Sequence, residues 1–328
     1  MLIRFDSLNG LSSEGIIYLS SSKIKMIAKP FLKWAGGKTQ LINEIERSLP
    51  SEIINKKFTY VEPFVGSGAV LFWMLNNFPK MQKAVINDIN ADLINTYNII
   101  ASKPKELISI LNIFQNEFHE LNLEAENKKE YYYSKRELYN TRKTDLSTQA
   151  ALFIFLNRTC FNGLYRVNRK NNYNVPIGSY NKPTICDAQN ILCVSEALQK
   201  VEILCGDYQQ TINHATSNSF FYFDPPYKPL SDTSSFNSYA KDDFNDDEQI
   251  RLKDFCEKLE KEGHKWMLSN SDVRGKNPND NFIDKIYANF LISRVKAKRN
   301  INANPQKRGE LSELLITNYN YEQTLQTA

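Results

Sequence analysis

The chain has only five cysteines in 328 residues (160, 186, 193, 205 and 256), an odd number with no C-x-x-C pair. Neither a zinc site nor a disulfide framework is implied, and the thiols read as the reduced ones of a cytoplasmic protein. No apolar run approaches the roughly 18 residues of a membrane span. The first 25 residues hold a serine-rich patch and one short apolar run, Ile16 to Leu19, too little for a signal-peptide core. They read as an N-terminal extension, either an upstream start or a loose tail, because the uninterrupted pattern begins near Met26. Charge of one sign is scarce too. There are 41 Lys and Arg against 37 Asp and Glu, a net charge of +4, which suits a polyanionic partner and many proteins without one. With 41% hydrophobic and 24% charged residues, the composition excludes a disordered or fibrous chain and allows one large domain or two smaller ones.

Where the charge sits says more. Lys128 to Lys170 carries ten basic residues against three acidic ones, and Arg294 to Arg308 carries six basic residues and no acidic one. Each run reads either as a solvated lysine-rich face or as a surface for a polyanion.

Short apolar, β-rich runs recur between helical patterns and end in polar or acidic residues: Phe58 to Glu62, Ala84 to Asp88, Val201 to Asp207 and Phe220 to Asp224. The alternation predicts an α/β fold with a mostly parallel sheet and helices on both faces. Lys265 to Leu268, Phe290 to Val295 and Leu314 to Thr317 are later strand candidates. Helices are expected after Gly37, Gly68 and Asn90 and across Asp246 to Glu262, where Leu252, Phe255 and Leu259 share a face and Gly263 is a natural stop. Between about 96 and 195 the strand signal vanishes into a charged, helical and aromatic stretch. The expected organisation is an extension (1–27), a discontinuous α/β domain (28–95 and 196–320), an insert (96–195) and a tail (321–328).

Val61-Glu62-Pro63-Phe64-Val65-Gly66-Ser67-Gly68 ends a strand and opens a helix, as a nucleotide-binding turn does; an ordinary turn is the plain alternative. The third small residue of a dinucleotide fingerprint is missing, since Leu71 stands there, which disfavours a nicotinamide or flavin. Asp88 ends the next strand, where an acidic side chain can accept both ribose hydroxyls of a nucleoside or cap the following helix. The Gly37-Lys38-Thr39 ending upstream lacks the earlier glycine of a phosphate-binding P-loop, since residue 32 is leucine. That segment reads as a helix start with a buried Trp34, or as a place where Trp34 and Lys38 meet an adenine-sized ring and a carboxylate.

Asp224-Pro225-Pro226-Tyr227 follows a buried strand at the carboxyl end of the sheet, where ligands bind. The two prolines remove both N–H donors and leave carbonyl acceptors, and an ionised Asp only accepts. An NH₂ group can therefore donate one hydrogen to Asp224 and one to the Pro225 carbonyl, with Tyr227 stacked on its ring. A plain proline turn is the alternative.

In this order, Trp34 to Lys38, Glu62 to Gly68, Asn87-Asp88 and Asp224 to Tyr227 resemble the Dam-type (D12 class) DNA adenine-N6 methyltransferases. Asn157 to Arg166 and Asn174 to Gly178 are similar to that family's target-recognition segment. The resemblance spans roughly 29 to 318. It implies a Rossmann-like methyltransferase sheet with an inserted, mainly helical target-recognition domain. It further implies S-adenosylmethionine held by Trp34, Lys38, Glu62, Phe64, Gly66, Gly68, Asp88, Asp207 and Asp224, with catalysis by Asp224, Pro225, Pro226 and Tyr227.

The implied partner is double-stranded DNA, with GATC as the expected site and a cognate restriction endonuclease as a further partner; no metal is implied. Arg166 would read a guanine edge, with Arg158, Phe161, Asn162, Leu164 and Pro176 at neighbouring positions. A flipped adenine would be attacked directly, without a cysteine nucleophile. Two readings stay open beside it. A non-catalytic nucleic-acid-binding protein would show a spoiled glycine turn or acidic tetrad, and neither is spoiled. Enzymes acting on cytosine N4 more often carry Ser, and those acting on glutamine amides Asn, at the position of Asp224.

Overall fold

β-branched and aromatic runs build the sheet, and its central strands are buried along their length. In the computed structural model, which describes residues 27–34, 38–121, 125–227, 244–275, 277–298 and 310–321, seven strands are β1 (Phe58–Glu62), β2 (Met81–Asp88), β3 (Val201–Cys205), β4 (Ser219–Phe223), β5 (Lys265–Ser271), β6 (Leu291–Lys298) and β7 (Glu310–Thr317). They form one sheet in the order β3-β2-β1-β4-β5-β7-β6. The first five run parallel, and β7 lies antiparallel between β5 and β6.

The helices are α1 (Ile42–Arg47), α2 (Ser51–Asn55), α3 (Ala69–Asn77), α4 (Ala91–Ser102), α5 (Pro104–Glu120), α6 (Ala125–Thr141), α7 (Leu146–Thr159), α8 (Ala188–Leu198), α9 (Asp246–Lys261) and α10 (Phe282–Ile286). The expected extension up to residue 26, the Ala35-Gly36-Gly37 step, 299–309 of the second basic run and the tail beyond 321 lie outside the described residues.

The two-residue period of a strand sends neighbouring side chains to opposite faces. Tyr60, Phe220, Tyr222, Met267 and Leu315 join the cluster on one face, and Val61, Phe221, Phe223, Leu268 and Ile316 the cluster on the other. On the second face α9 lays down Leu252, Phe255, Cys256 and Leu259, a helical stripe that is fully buried or nearly so. Each large apolar side chain buried this way contributes roughly 1.5–3 kcal/mol. Asn245 caps α9 by accepting from the Glu248 N–H, acidic residues occupy its first turn and lysines its last, and Gly263 follows at φ +84°.

On the first face the core continues without a break from the sheet into α4 to α8: Leu107, Leu111, Phe118, Tyr132, Phe155 and Val194 belong to the same cluster as Tyr60 and Ile86. Between Asp88 and Val201 the described residues form no strand, only two isolated bridges, Cys160 with Ile177 and Val167 with Tyr173.

The strand ends differ from the sequence pattern for local reasons. β3 stops at Cys205 rather than Asp207, because Gly206 turns at φ +132° and Asp207 accepts the Gln209 N–H to start a short 3-10 helix, Tyr208–His214. β7 begins at Glu310, ahead of its apolar part, because pairing with β6 carries it on through polar residues.

The chain departs from β1 toward β2 and β3 on one side and fills β4 and β5 on the other. β1 and β4 are therefore neighbours at a switch point, and the crevice beyond their carboxyl ends is where such sheets take ligands.

Candidate active site

Glu62 ends β1 and Asp224 follows β4, so both carboxylates stand at that crevice. Glu62 is only 2% exposed and accepts the Tyr60 hydroxyl at 2.8 Å. Burial pushes its carboxyl well above the usual glutamate range; the Tyr60 bond opposes the shift, and the charges of Asp224 and Asp88 add to it. Asp88 is also raised by burial, against the N–H groups of Asn90 and Gly66 that hold it. Asp224 is raised by burial as well, against the pull of the Lys38 ammonium. Burial thus disfavours the charged form of all three carboxyl groups at this crevice.

The turn between β1 and α3 is built around this cluster. Gly66 (φ +49°) and Gly68 (φ +75°) adopt left-handed backbone that favours glycine. A Cβ on Gly66 would stand 3.0 Å from the Trp34 indole nitrogen, and one on Gly68 would stand 2.6 Å from the Tyr97 hydroxyl. Gly66 donates its N–H to Asp88 at 3.1 Å and accepts the Tyr97 hydroxyl at 3.0 Å. Asn90, not Asp88, caps α4, accepting from Asp92 and Leu93, so the Asp88 side chain serves the turn. Asn87 ties the ends of three strands together, donating to the Pro63 and Gly206 carbonyls and accepting from Gln210. Phe64 packs on Tyr208 and Phe244, ring centroids 5.1 and 5.8 Å away.

Lys38 is 4% exposed and places Nζ 2.9 Å from Asp224 Oδ1. The Ser269 hydroxyl lies 3.2 Å from the same carboxylate oxygen and accepts or donates at 3.0 Å with Tyr222. Pro226 presents its carbonyl to the Gln249 side chain at 3.3 Å. Tyr227 donates its hydroxyl to Glu313 at 2.8 Å, and Lys38 Nζ stands 4.4 Å over its ring.

The segment from Asn157 to Gly178 meets the site through residues 31–34. Asn157 accepts the Lys33 N–H and donates to the Lys33 and Gly163 carbonyls. Trp34 stacks on Tyr165. Arg158 turns inward to the Phe31 carbonyl at 2.8 Å. Arg166 donates Nε to Asn174 Oδ1 at 2.7 Å and lines an open cleft with Asn168, Arg169, Lys170, Asn172 and Asn174. Phe161 (51% exposed), Asn162 and Pro176 face solvent beside it, and Leu164 is half-buried.

The basic runs divide. On α6, Lys128 and Arg136 donate to the Asn181 and Val175 carbonyls, and Lys135 pairs with Glu117. Arg142, in the turn that follows, pairs with Asp92, while Arg169 and Lys170 are exposed at the cleft. Arg294 of the second run pairs with Asp284 and Asp272.

Residues 34–301 match the family model of the D12 class N6 adenine-specific DNA methyltransferases. The chain belongs to this family. Among similar proteins, the Type II methyltransferase M.MjaIII of Methanocaldococcus jannaschii is 49% identical over 90% of this chain and all of its own length. The Type II methyltransferase M1.LlaDCHI of Lactococcus lactis subsp. cremoris is 37% identical over 90% of this chain and 98% of its own. The DNA adenine methylase of Haemophilus influenzae is 36% identical over 90% and 95%.

For a D12 methyltransferase, the structure gathers Lys38, Glu62, Gly66, Gly68, Asp88, Asp224 and Tyr227 into one connected set, with Trp34 and Phe64 on its borders. Asp207 stands apart: beyond its capping bond it pairs with Arg251 at 2.7 Å, both half-exposed. Several residues of the site escaped the sequence reading. Asn157 lies in the segment that resembles the family, but nothing local to it announces its bonds to Lys33 and Gly163. Ser269 and Glu313 carry no local pattern at all. Among the described residues no group of His, Cys, Asp or Glu is arranged to hold a metal ion, and no helix is long and apolar enough to cross a membrane.

Proposed function

We propose that this D12 methyltransferase transfers a methyl group from S-adenosylmethionine to N6 of an adenine flipped out of double-stranded DNA, within GATC. The observation that carries the reading is the acceptor-only Asp224-Pro225-Pro226 step, followed by Tyr227, beside the Glu62 and Asp88 carboxyl groups and a glycine turn. The donor fits this chemistry. It is a cation with an ammonium, a diol and an adenine, and Glu62, Asp88 and the backbone of the Gly66–Gly68 turn suit those groups, with Trp34, Lys38, Phe64 and Asp207 at the rim. When bound, it supplies a methyl group on a positively charged sulfur.

The chain's own residues do the rest. Asp224 and the Pro225 carbonyl accept the two N6 hydrogens, which leaves the nitrogen lone pair directed along the line of attack. Pro226, anchored by Gln249, fixes that step, and Tyr227 stacks on the purine. Burial raises Asp224 above the ordinary aspartate range, which makes its carboxylate a stronger acceptor. Positioning of this kind supplies much of a displacement's rate. Extrusion of the base costs a few kcal/mol of stacking and pairing, which Phe161, Asn162, Leu164 and Pro176 offset by filling the gap. Arg166, its plane held by Asn174, reads a guanine edge, and Arg169 and Lys170 meet phosphates, which position without specifying. Arg158 supports the 31–34 segment from within.

A restriction endonuclease cutting the same site completes the reading as a partner; extracts of the source cells should then cut that site only when it is unmethylated. The test of the reaction is incubation of the purified protein with unmethylated DNA and labelled S-adenosylmethionine, followed by single-molecule sequencing. N6-methyladenine confined to GATC is expected. The same mark elsewhere would keep the reaction and change the site, and unmodified DNA would overturn the reading.

A further inference from the structure

Lys38 occupies the place that the proposed reaction assigns to the substrate. Its Nζ lies 2.9 Å from Asp224 Oδ1 and 4.4 Å over the Tyr227 ring, so an amino group arriving at Asp224 and a purine arriving on Tyr227 have to displace it. An ammonium this buried cannot give up its counter-ion without another at hand. Glu313 is that second carboxylate. Its Oε2 is 3.8 Å from Lys38 Nζ and already accepts the Tyr227 hydroxyl at 2.8 Å. It reaches the site from β7, the antiparallel strand between β5 and β6.

We propose that Glu313 is a positioning residue of the methyl-transfer site, taking Lys38 over from Asp224 as the target adenine enters and holding the Tyr227 ring by its hydroxyl through the exchange. This rests on the roles given above to Asp224 and Tyr227. One ammonium shared by two carboxylates leaves one negative charge in surplus, and the hand-over leaves that charge on Asp224, where the N6 hydrogens need it. Without the Glu313 charge, Lys38 is no longer shared between Asp224 and Glu313, and the amino group must compete with its hold on Asp224.

The experiment compares full-length wild type with Glu313→Gln and Glu313→Asp on a duplex carrying the site mapped by sequencing. The target position holds adenine for single-turnover methylation or 2-aminopurine for base extrusion. Gln keeps an acceptor for the Tyr227 hydroxyl and loses the charge. Affinities for S-adenosylmethionine and for DNA should stay within about twofold, while the 2-aminopurine signal and the single-turnover rate fall roughly tenfold, and Asp should restore most of both. A Gln variant with wild-type rate and fluorescence would overturn the proposal, as would a loss that appears equally in DNA affinity and is not recovered by Asp. If Glu313→Gln does not fold, Tyr227→Phe tests the tether alone. A weakened 2-aminopurine signal at unchanged DNA affinity supports it, and an unchanged signal overturns it. A wild type that methylates no adenine removes the underlying reading instead, before any variant is compared.

Discussion

Trp34 and Tyr165 lie face to face, with ring centroids 5.8 Å apart and planes 18° apart. Trp34 also stands against Gly66 of the glycine turn, proposed to hold the cofactor, and Tyr165 immediately precedes Arg166 of the cleft proposed to read DNA. The stack is thus a physical link between the two halves of the proposed reaction, and coupling of this kind must act in both directions. An aromatic pair contributes about 0.5–1.5 kcal/mol beyond its buried area. Tyr165→Ala is expected to weaken S-adenosylmethionine and DNA binding each by a few-fold, whereas Tyr165→Phe should retain both. Titration followed by intrinsic tryptophan fluorescence and by DNA anisotropy measures the two affinities. If cofactor affinity is untouched in the Ala variant, Tyr165 serves the insert's packing alone.

Asp224→Asn separates catalysis from folding better than Asp224→Ala. Both substitutions remove the charge that faces Lys38, but truncation to Ala also opens a space beside its buried ammonium, whereas Asn preserves the shape. Methyl transfer is expected to fall by at least about a hundredfold with DNA affinity largely intact, as read by single-turnover rates and anisotropy. The wild-type rate should also have an acid limb. Asp224 accepts without competition only as a carboxylate, and burial raises its pKa, so activity should be lost on acidification at a pH above the ordinary aspartate range. Retained turnover in the Asn variant would remove Asp224 from the reaction.

The strands flanking the site were legible because each is a short β-rich run buried on both faces, with its functional residue at the carboxyl end: Glu62, Asp88 and Asp224 all follow this rule. The mostly parallel α/β sheet follows from the same runs. Tyr165, Asn157 and Glu313 were not legible as parts of the site, since each depends on which distant segment packs beside it. Glu313 in particular depends on β7 entering antiparallel between β5 and β6, and nothing local to Glu310–Thr317 announces that direction. Asp207 is implied as a cofactor residue by the family resemblance alone, and in the folded chain it makes a capping bond and pairs with Arg251. The basic runs mislead, since charge counted along the chain does not reveal that Lys135, Arg142 and Arg294 meet carboxylates of their own fold.

Glu62 is held buried at a cost to its charged form. Its folded-state pKa is raised by burial, so between the unfolded and the folded values the native chain holds the extra proton and stability falls as pH rises across that window. Each unit of upward shift costs about 1.4 kcal/mol once the pH is above both values. Asp88 and Asp224 act in the same sense. The ligand-free protein should therefore melt at a higher temperature in mildly acidic than in alkaline buffer, and S-adenosylmethionine should stabilise it more at the alkaline end. Glu62→Gln keeps an acceptor for Tyr60; it should raise the ligand-free melting temperature at neutral pH, flatten part of the pH dependence and weaken cofactor binding by roughly tenfold or more. Calorimetry across pH decides it: a Gln variant less stable than wild type at neutral pH would mean that the Glu62 charge is already compensated in the fold.

Arg166 tests whether the cleft reads bases or merely attracts DNA. With Nε on Asn174 at 2.7 Å, the guanidinium is oriented before DNA arrives, as bidentate recognition of a guanine O6 and N7 requires. Its exposed neighbours Arg169 and Lys170 have no such anchoring bond described for their side chains and suit phosphate contacts. Arg166→Ala should therefore cost about 1–3 kcal/mol on the cognate site and relax discrimination at one guanine position, with little change in the salt slope of binding. Lys170→Ala should weaken binding to all sequences alike and reduce that slope. Methylation rates on a panel of single-base variants of the site, with binding measured at several salt concentrations, distinguish the two. A uniform loss across the panel for Arg166→Ala would make it a phosphate contact and leave the reading of guanine to another residue of the cleft.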